Sequence, residues 1–142
     1  MPSDEKLLLG WREWVSLPSL GIPGIKAKVD TGARTSCLHA FYVDPIRRRG
    51  RDMVRFGVHP SQRDKDAVVH CEAEILDQRQ VSDSGGHREL RFVIQTRLQL
   101  LDFDQAVELT LTNRDSMRFR MLLGRTAMVI GGFQVDPARS YL

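Results

Sequence analysis

Apolar residues along this chain recur mainly at every second position, the period of a strand with one face on a core and the other in water. Val54, Phe56 and Val58 alternate in MVRFGVH, and Val69, Cys71, Ala73 and Ile75 alternate in VVHCEAEI. Leu90, Phe92 and Ile94 do the same in ELRFVIQTRL. In AVELTLT the apolar set is Val107, Leu109 and Leu111, with Glu108, Thr110 and Thr112 expected on the opposite face. An earlier run carrying Leu9, Trp11 and Val15 stops at Pro18 and Gly21, and a last strand is expected in FQVD. Helical character is confined to GRTAMVI, Gly124 to Ile130, which Gly131 and Gly132 end within about two turns. Asp44 to Asp66 is polar and holds Pro45, Gly50 and Pro60, so it reads as an exposed loop around one short strand. The pattern predicts an all-β sandwich or barrel with one short C-terminal helix, in a single domain over residues 1–142.

Composition changes this picture little. The chain is 42% hydrophobic and 27% charged, as expected of an ordinary globular protein long enough to build a core without staples. No apolar run approaches the roughly 18 residues of a membrane span, and no signal-peptide pattern opens the chain, so a cytoplasmic protein with no membrane partner is expected. Net charge is +3, with much of the excess in Arg47 to Arg51. That run reads first as a solvated loop, second as a site for an acidic partner and third as a nucleic-acid contact, because no aromatic-interleaved or helix-borne basic face accompanies it. Cys37 and Cys71 are not in a C-x-x-C pair and fall in alternating apolar runs, which predicts buried free thiols.

One short stretch is harder to absorb into a plain sheet protein. IKAKVDTGARTSCLHA brings an alternating strand to Asp30 and then turns at once through Thr31, Gly32 and Ala33. An Asp at a turn often only bonds its own backbone, and a Gly there admits a close approach. The stretch is not an EF-hand, since no D-x-D-x-D-G run with a later Glu follows. Far along the chain, RMLLGRTAM runs apolar residues straight into Gly124-Arg125 and the short helix, and VSDSGGHRELRFV between them is a glycine-containing hairpin.

Strand–DTGA–strand followed by apolar–apolar–Gly–Arg resembles the two signatures of retroviral-type aspartic proteases, with the hairpin where those proteins carry a flap. More specifically, GWREWVSLPSLGIPGIKAKVDTGARTSCLHA, VSDSGGHRELRFVIQT, ELTLTNRDSMRFRMLLGRTAM and VDPARSYL resemble the bacterial retropepsin-like family long labelled ATP-dependent zinc proteases, RimB-type proteins associated with RimK-type ATP-grasp glutamate ligases. The resemblance runs from Gly10 to Leu142. It implies a closed retropepsin-like (acid protease) β-barrel, with Asp30 in the catalytic position, Thr31 and Gly32 holding its carboxylate, and Gly85 and Gly86 at the flap tip. It also implies a peptide or protein substrate, an acidic, glutamate-extended tail such as that of a ribosomal protein, and a link to the glutamate ligase.

In this chemistry one carboxylate activates water as a general base while a protonated partner donates to the scissile carbonyl. With a single DTGA, the second carboxylate must come from a second copy, so the resemblance implies a homodimer about a two-fold axis. One position departs from the pattern. Retropepsins commonly follow DTGA with an Asp that pairs with the Arg of the Gly-Arg motif, whereas here Arg34 stands there and faces Arg125 with like charge. Arg34 would instead suit an acidic substrate, bound together with Ala33, Gly85, Gly86 and Arg125.

The other motifs weigh less. Ser84 of SDSGG lacks the positioned His and third group a serine nucleophile needs. His39, His59, His70 and His87 are scattered, with no H-E-x-x-H, and no Gly-rich phosphate loop with Lys is present, so neither zinc nor ATP is expected as a cofactor. The alternative to an aspartic peptidase is a catalytically silent retropepsin-fold module that binds acidic peptides through Arg34, Arg88 and Arg125.

Overall fold

The structure, a computed structural model, describes residues 8–61, 67–82, 85–113 and 119–142. Among the described residues twelve strands and one α-helix, with a 3-10 turn at Pro18–Leu20, follow in chain order: β1 (Leu8–Leu9), β2 (Arg12–Leu17), β3 (Ile22–Val29), β4 (Ser36–Ala40), β5 (Tyr42–Arg48), β6 (Arg51–Val58), β7 (Val69–Glu74), β8 (Asp77–Ser82), β9 (Arg88–Leu100), β10 (Phe103–Asn113), β11 (Met121–Leu123), α1 (Arg125–Gly131) and β12 (Gln134–Val135). The main sheet runs β10-β4-β11-β3-β2-β9-β8, and a further β9–β10 pairing closes its first six strands into a barrel. Closure leaves those strands without a free edge, which removes a template for unwanted pairing. β9 can serve three neighbours because it is long: it pairs with β8 over Arg88 to Val93, with β10 over Val93 to Leu100, and meets β2 at Gln99.

Alternation sets the interior. Ile22, Ile25, Ala27, Leu38, Ala40, Ile94, Leu98, Leu109, Met121 and Leu123 are fully buried and belong to one cluster. The expected Val54, Phe56, Val58 face is fully buried too and joins the same cluster from a separate sheet, β5-β6-β7. That sheet corrects the reading of Asp44 to Asp66 as a loop around one strand. Tyr42 to Val58 is instead a complete hairpin, with Tyr42 opposite Gly57 and Arg48 opposite Arg51. Pro45 is accommodated because β5 is the edge of its sheet, where a missing N–H costs no ladder bond. Arg47 and Arg48 end one strand and Arg51 begins the next, all exposed, with ion pairs from Arg48 to Glu72 (2.7 Å) and from Arg51 to Glu74 (3.6 Å). The arginine run is thus a solvated hairpin in which Arg48 and Arg51 pair with acids of β7. Residues 62–66 of that segment lie outside the described residues.

Two further expectations shift. Leu90 is 61% exposed while its neighbour Arg91 is buried. At Leu90 the partner of β9 is β8, and β10 pairs only from Val93 onward, so no barrel layer lies beneath Leu90. Thr110 and Thr112 do alternate with Leu109 and Leu111, yet they are buried rather than in water. Their hydroxyls are satisfied by the Ser36 carbonyl and the Glu89 carboxylate. Cys37 and Cys71 are buried free thiols, as the pattern predicts.

The helix begins at Gly124 as N-cap and stops where Gly132 takes a left-handed conformation (φ 64°) and donates its N–H to Val129 O at 3.1 Å. After β12, which pairs in parallel with β1, the tail returns along the first strands. Trp11 N–H donates to Arg139 O (2.8 Å) and Tyr141 N–H to Arg12 O (3.0 Å), while the Arg12 guanidinium lies over the rings of Trp11 and Tyr141. A side chain at Gly10 would meet the backbone of Arg139, so Gly is what lets the tail pass this close. Among the described residues no helix is long and apolar enough to cross a membrane.

Candidate active site

Asp30 follows directly on β3. Its N–H donates to Leu123 O (2.9 Å), which ties the end of β3 to the end of β11, its parallel neighbour. The chain then turns back: Ala33 N–H donates to Asp30 O (3.2 Å) and Gly32 N–H donates to Asp30 Oδ1 (3.0 Å). The carboxylate is therefore held by its own turn, as an Asx-turn would hold it, and it is only half-buried. A Cβ at position 32 would lie 3.2 Å from Oδ1, so Gly32 gives that carboxylate room.

The Gly124-Arg125 segment clamps the far side of the turn. Arg125 N–H donates to Ala33 O (2.8 Å), Thr126 N–H to Arg34 O (3.0 Å), and Arg125 Nη1 to Thr31 O (3.3 Å). Ser36 Oγ, fully buried, accepts from Gly124 N–H at 2.9 Å. Two stretches separated by most of the chain thus form one hydrogen-bonded unit around Asp30. These bonds satisfy much of the turn's backbone from within the chain.

This unit opens onto a cleft of about 680 Å³. Asp30, Gly32, Ala33, Arg34 and Arg125 line one end. The floor comes from Cys37 and His39 of β4, Thr110 of β10 and Leu122 of β11, positions that alternate with the barrel-facing residues of the same strands. Arg79 to Ser82 of β8 and Arg91 of β9 form the remaining wall. Asp30 is the one carboxylate among the described lining residues. Gly85 and Gly86 lie in the exposed turn between β8 and β9, with Gly86 at φ +80°, and are not among those lining residues. Thr31 is exposed, and its shown part in the site is the carbonyl that Arg125 grips. Arg88 is exposed at the start of β9. Ser84 lies outside the described residues.

The arginines of the cleft are not equivalent. Arg79 donates to Glu108 Oε2 (2.7 Å) and Oε1 (3.4 Å) and to Asp77 Oδ2 (2.9 Å). Glu108 first and Asp77 second hold the Arg79 guanidinium firmly protonated, and Arg79 holds the Asp77 carboxyl below its ordinary range. Arg91 is paired with Glu89 (3.2 Å) and also reaches Cys37 Sγ (3.5 Å). Among the described residues no acid pairs with Arg34 or Arg125. Arg79, Arg91, His39 and the Thr110 floor were missed in the sequence, where their phase reads as the polar, solvent-facing side of a half-buried sheet. Among the described residues no group of three His, Cys, Asp or Glu side chains comes together to hold a metal ion.

Geometry and sequence agree with one family. A family model described as retropepsin-like aspartic endopeptidase RimB matches residues 8–142. This chain belongs to the RimB-like family. A solved structure of a Legionella pneumophila protein of unknown function is 27% identical, superposes with a TM-score of 0.80, and covers 96% of this chain and 98% of that one. Longer relatives named "Probable alpha-L-glutamate ligase" also match. That of Shewanella halifaxensis is 47% identical over 139 residues, and that of Parasynechococcus marenigrum 49% over 136. These alignments take in 98% and 96% of this chain but only 30% and 29% of the relatives. The RimB-like barrel therefore corresponds to less than a third of those proteins. Its closed β-barrel is consistent with a retropepsin-like fold.

Proposed function

We propose that the chain is an aspartic hydrolase of peptide or isopeptide bonds, acting on acidic, glutamate-extended protein tails. The observation that carries the reading is the Asp30 turn, a carboxylate oriented by the Gly32 N–H in the lining of a cleft of about 680 Å³. Asp30 serves as the acid/base group, and Gly32 and Thr31 shape its turn. Ala33, Arg34 and Arg125 contact substrate beside it, with Gly85 and Gly86 at the tip of the overlying hairpin. Since Asp30 is the one carboxylate among the described lining residues, the second acid comes from the Asp30 of another copy, and the working form is a homodimer. The ligase named for the longer relatives supports a substrate that such a ligase would extend.

A second reading is favoured by Arg34, whose like charge beside Arg125 takes away the ion pair expected to support that dimer. The chain would then be a silent module that binds acidic peptides. Cleavage of a glutamate-tailed peptide at mildly acidic pH, with sedimentation equilibrium on the same samples, separates the two. The hydrolase cleaves as a dimer and loses cleavage in Asp30→Asn. A strict monomer that binds but never cleaves is the silent module.

A further inference from the structure

The charges around the Asp30 cleft are unevenly answered. At the turn, Arg34 and Arg125 stand against the single acid Asp30, which leaves that end positive. Along the β8 wall, Arg79 is answered twice, by Glu108 and by Asp77, neither of which lines the cleft itself, so this three-residue cluster carries one excess negative charge. On β9, directly across from Arg79, Arg91 is paired with Glu89. The residues that follow Arg79 on the same wall, Gln80, Val81 and Ser82, carry no charge. β8 has a strand partner on one side only, so an extended peptide laid along it meets backbone groups as well as this negative cluster.

We infer that the cleft selects a boundary in its substrate, with acidic side chains at the Arg34–Arg125 end and non-acidic ones at the Arg79 end, rather than a uniformly acidic run. The inference rests on the peptide-hydrolase reading above and refines its substrate class. Among the described residues no acid pairs with Arg34 or Arg125, so a carboxylate arriving there displaces none of them. The same carboxylate at Arg79 must compete with a two-oxygen contact from Glu108 and a third from Asp77, and it enters a net negative field. Such a cleft is suited to the point where an acidic extension joins the body of a protein. Within the extension, every register puts an acid against the wrong wall.

The test is binding to the Asp30→Asn protein of two labelled peptides of equal length, one an alanine half followed by a glutamate half, the other all glutamate. The half-and-half peptide is expected to bind about three- to tenfold tighter at low salt, the scale of one or two partly screened charge contacts. Adding Asp77→Asn and Glu108→Gln should close the gap by raising the affinity of the all-glutamate peptide. Raising the salt should close it without any further substitution. Equal or tighter binding of the all-glutamate peptide, a gap that survives both manipulations, or no binding of the half-and-half peptide would each overturn the inference. Incubation of the half-and-half peptide with the Asp30 protein reads the hydrolase separately. Binding with the expected preference but no cleavage removes the hydrolase and leaves the polarity standing.

Discussion

Arg125 Nη1 donates to the carbonyl oxygen of Thr31 at 3.3 Å, across 94 positions of chain. Together with the bond from Arg125 N–H to Ala33 O, it makes the second signature of the sequence a brace for the first. Arg125 is exposed, so the bond adds little to global stability and acts on the order of the turn. Arg125→Ala is expected to change unfolding free energy by less than about 1 kcal/mol. Amide exchange at Gly32 and Ala33 should accelerate, and peptide cleavage should fall. Exchange at those amides indistinguishable from that of the unsubstituted protein would show that the brace does not order the turn.

Two glycines of the helix ends separate packing from conformation. A Cβ at Gly124 would lie 2.5 Å from Thr35 C and 2.8 Å from Ser36 N, both backbone, whereas Gly132 has open space but φ +64°. Gly124→Ala is therefore expected to cost about 1–3 kcal/mol or more by overpacking. Gly132→Ala should cost about 1 kcal/mol for the left-handed conformation. Urea unfolding of the two variants measures the order, and a larger loss at Gly132 would contradict it.

Ser36 is fully buried, and its hydroxyl is the acceptor for Gly124 N–H. Ser36→Ala keeps the volume nearly constant but strands a buried donor, for an expected loss of about 1–3 kcal/mol. A loss below a few tenths of a kilocalorie would mean that Gly124 N–H finds another acceptor.

Cys71 gives a pH dependence with a defined sign. Burial raises its thiol from 9.0 to about 11. The folded state holds the proton more tightly than the unfolded state, so this contribution is complete below pH 9 and is lost as pH rises toward 11. Wild-type stability should drop by roughly 1–3 kcal/mol more than that of Cys71→Ala across that window. Parallel urea titrations at pH 8 and near pH 11 read the difference, and identical slopes for the two proteins would remove the assignment. The native thiol should also resist alkylation at pH 8 until the protein unfolds.

The local chemistry of the site was legible in the sequence. A turn of Asp30, Thr31, Gly32 and Ala33 after an alternating strand, and Gly124-Arg125 before a short helix, are local patterns, and local patterns survive without knowledge of partners. The helix bounds were legible for the same reason, because Gly132 ends α1 by its own backbone freedom. Legibility failed at Tyr42 to Val58, where charged and turn-forming residues masked a hairpin that pairing with β7 and the shared core hold in place. It failed again at Leu90 and Arg91, whose burial depends on which neighbour β9 has at that height.

By itself, then, the sequence determined most of the strands and most of their inward faces, the helix and the acid that follows β3, since each depends on spacing within a few residues. Only the tertiary structure decided that β9 meets β10 to close the barrel and that Arg125 braces Thr31. It also decided that Cys37 and His39 of β4 and Thr110 of β10 line a cleft beside Asp30. Those outcomes depend on which strands become neighbours, and a strand's alternation says which side it buries but not what lies across from it.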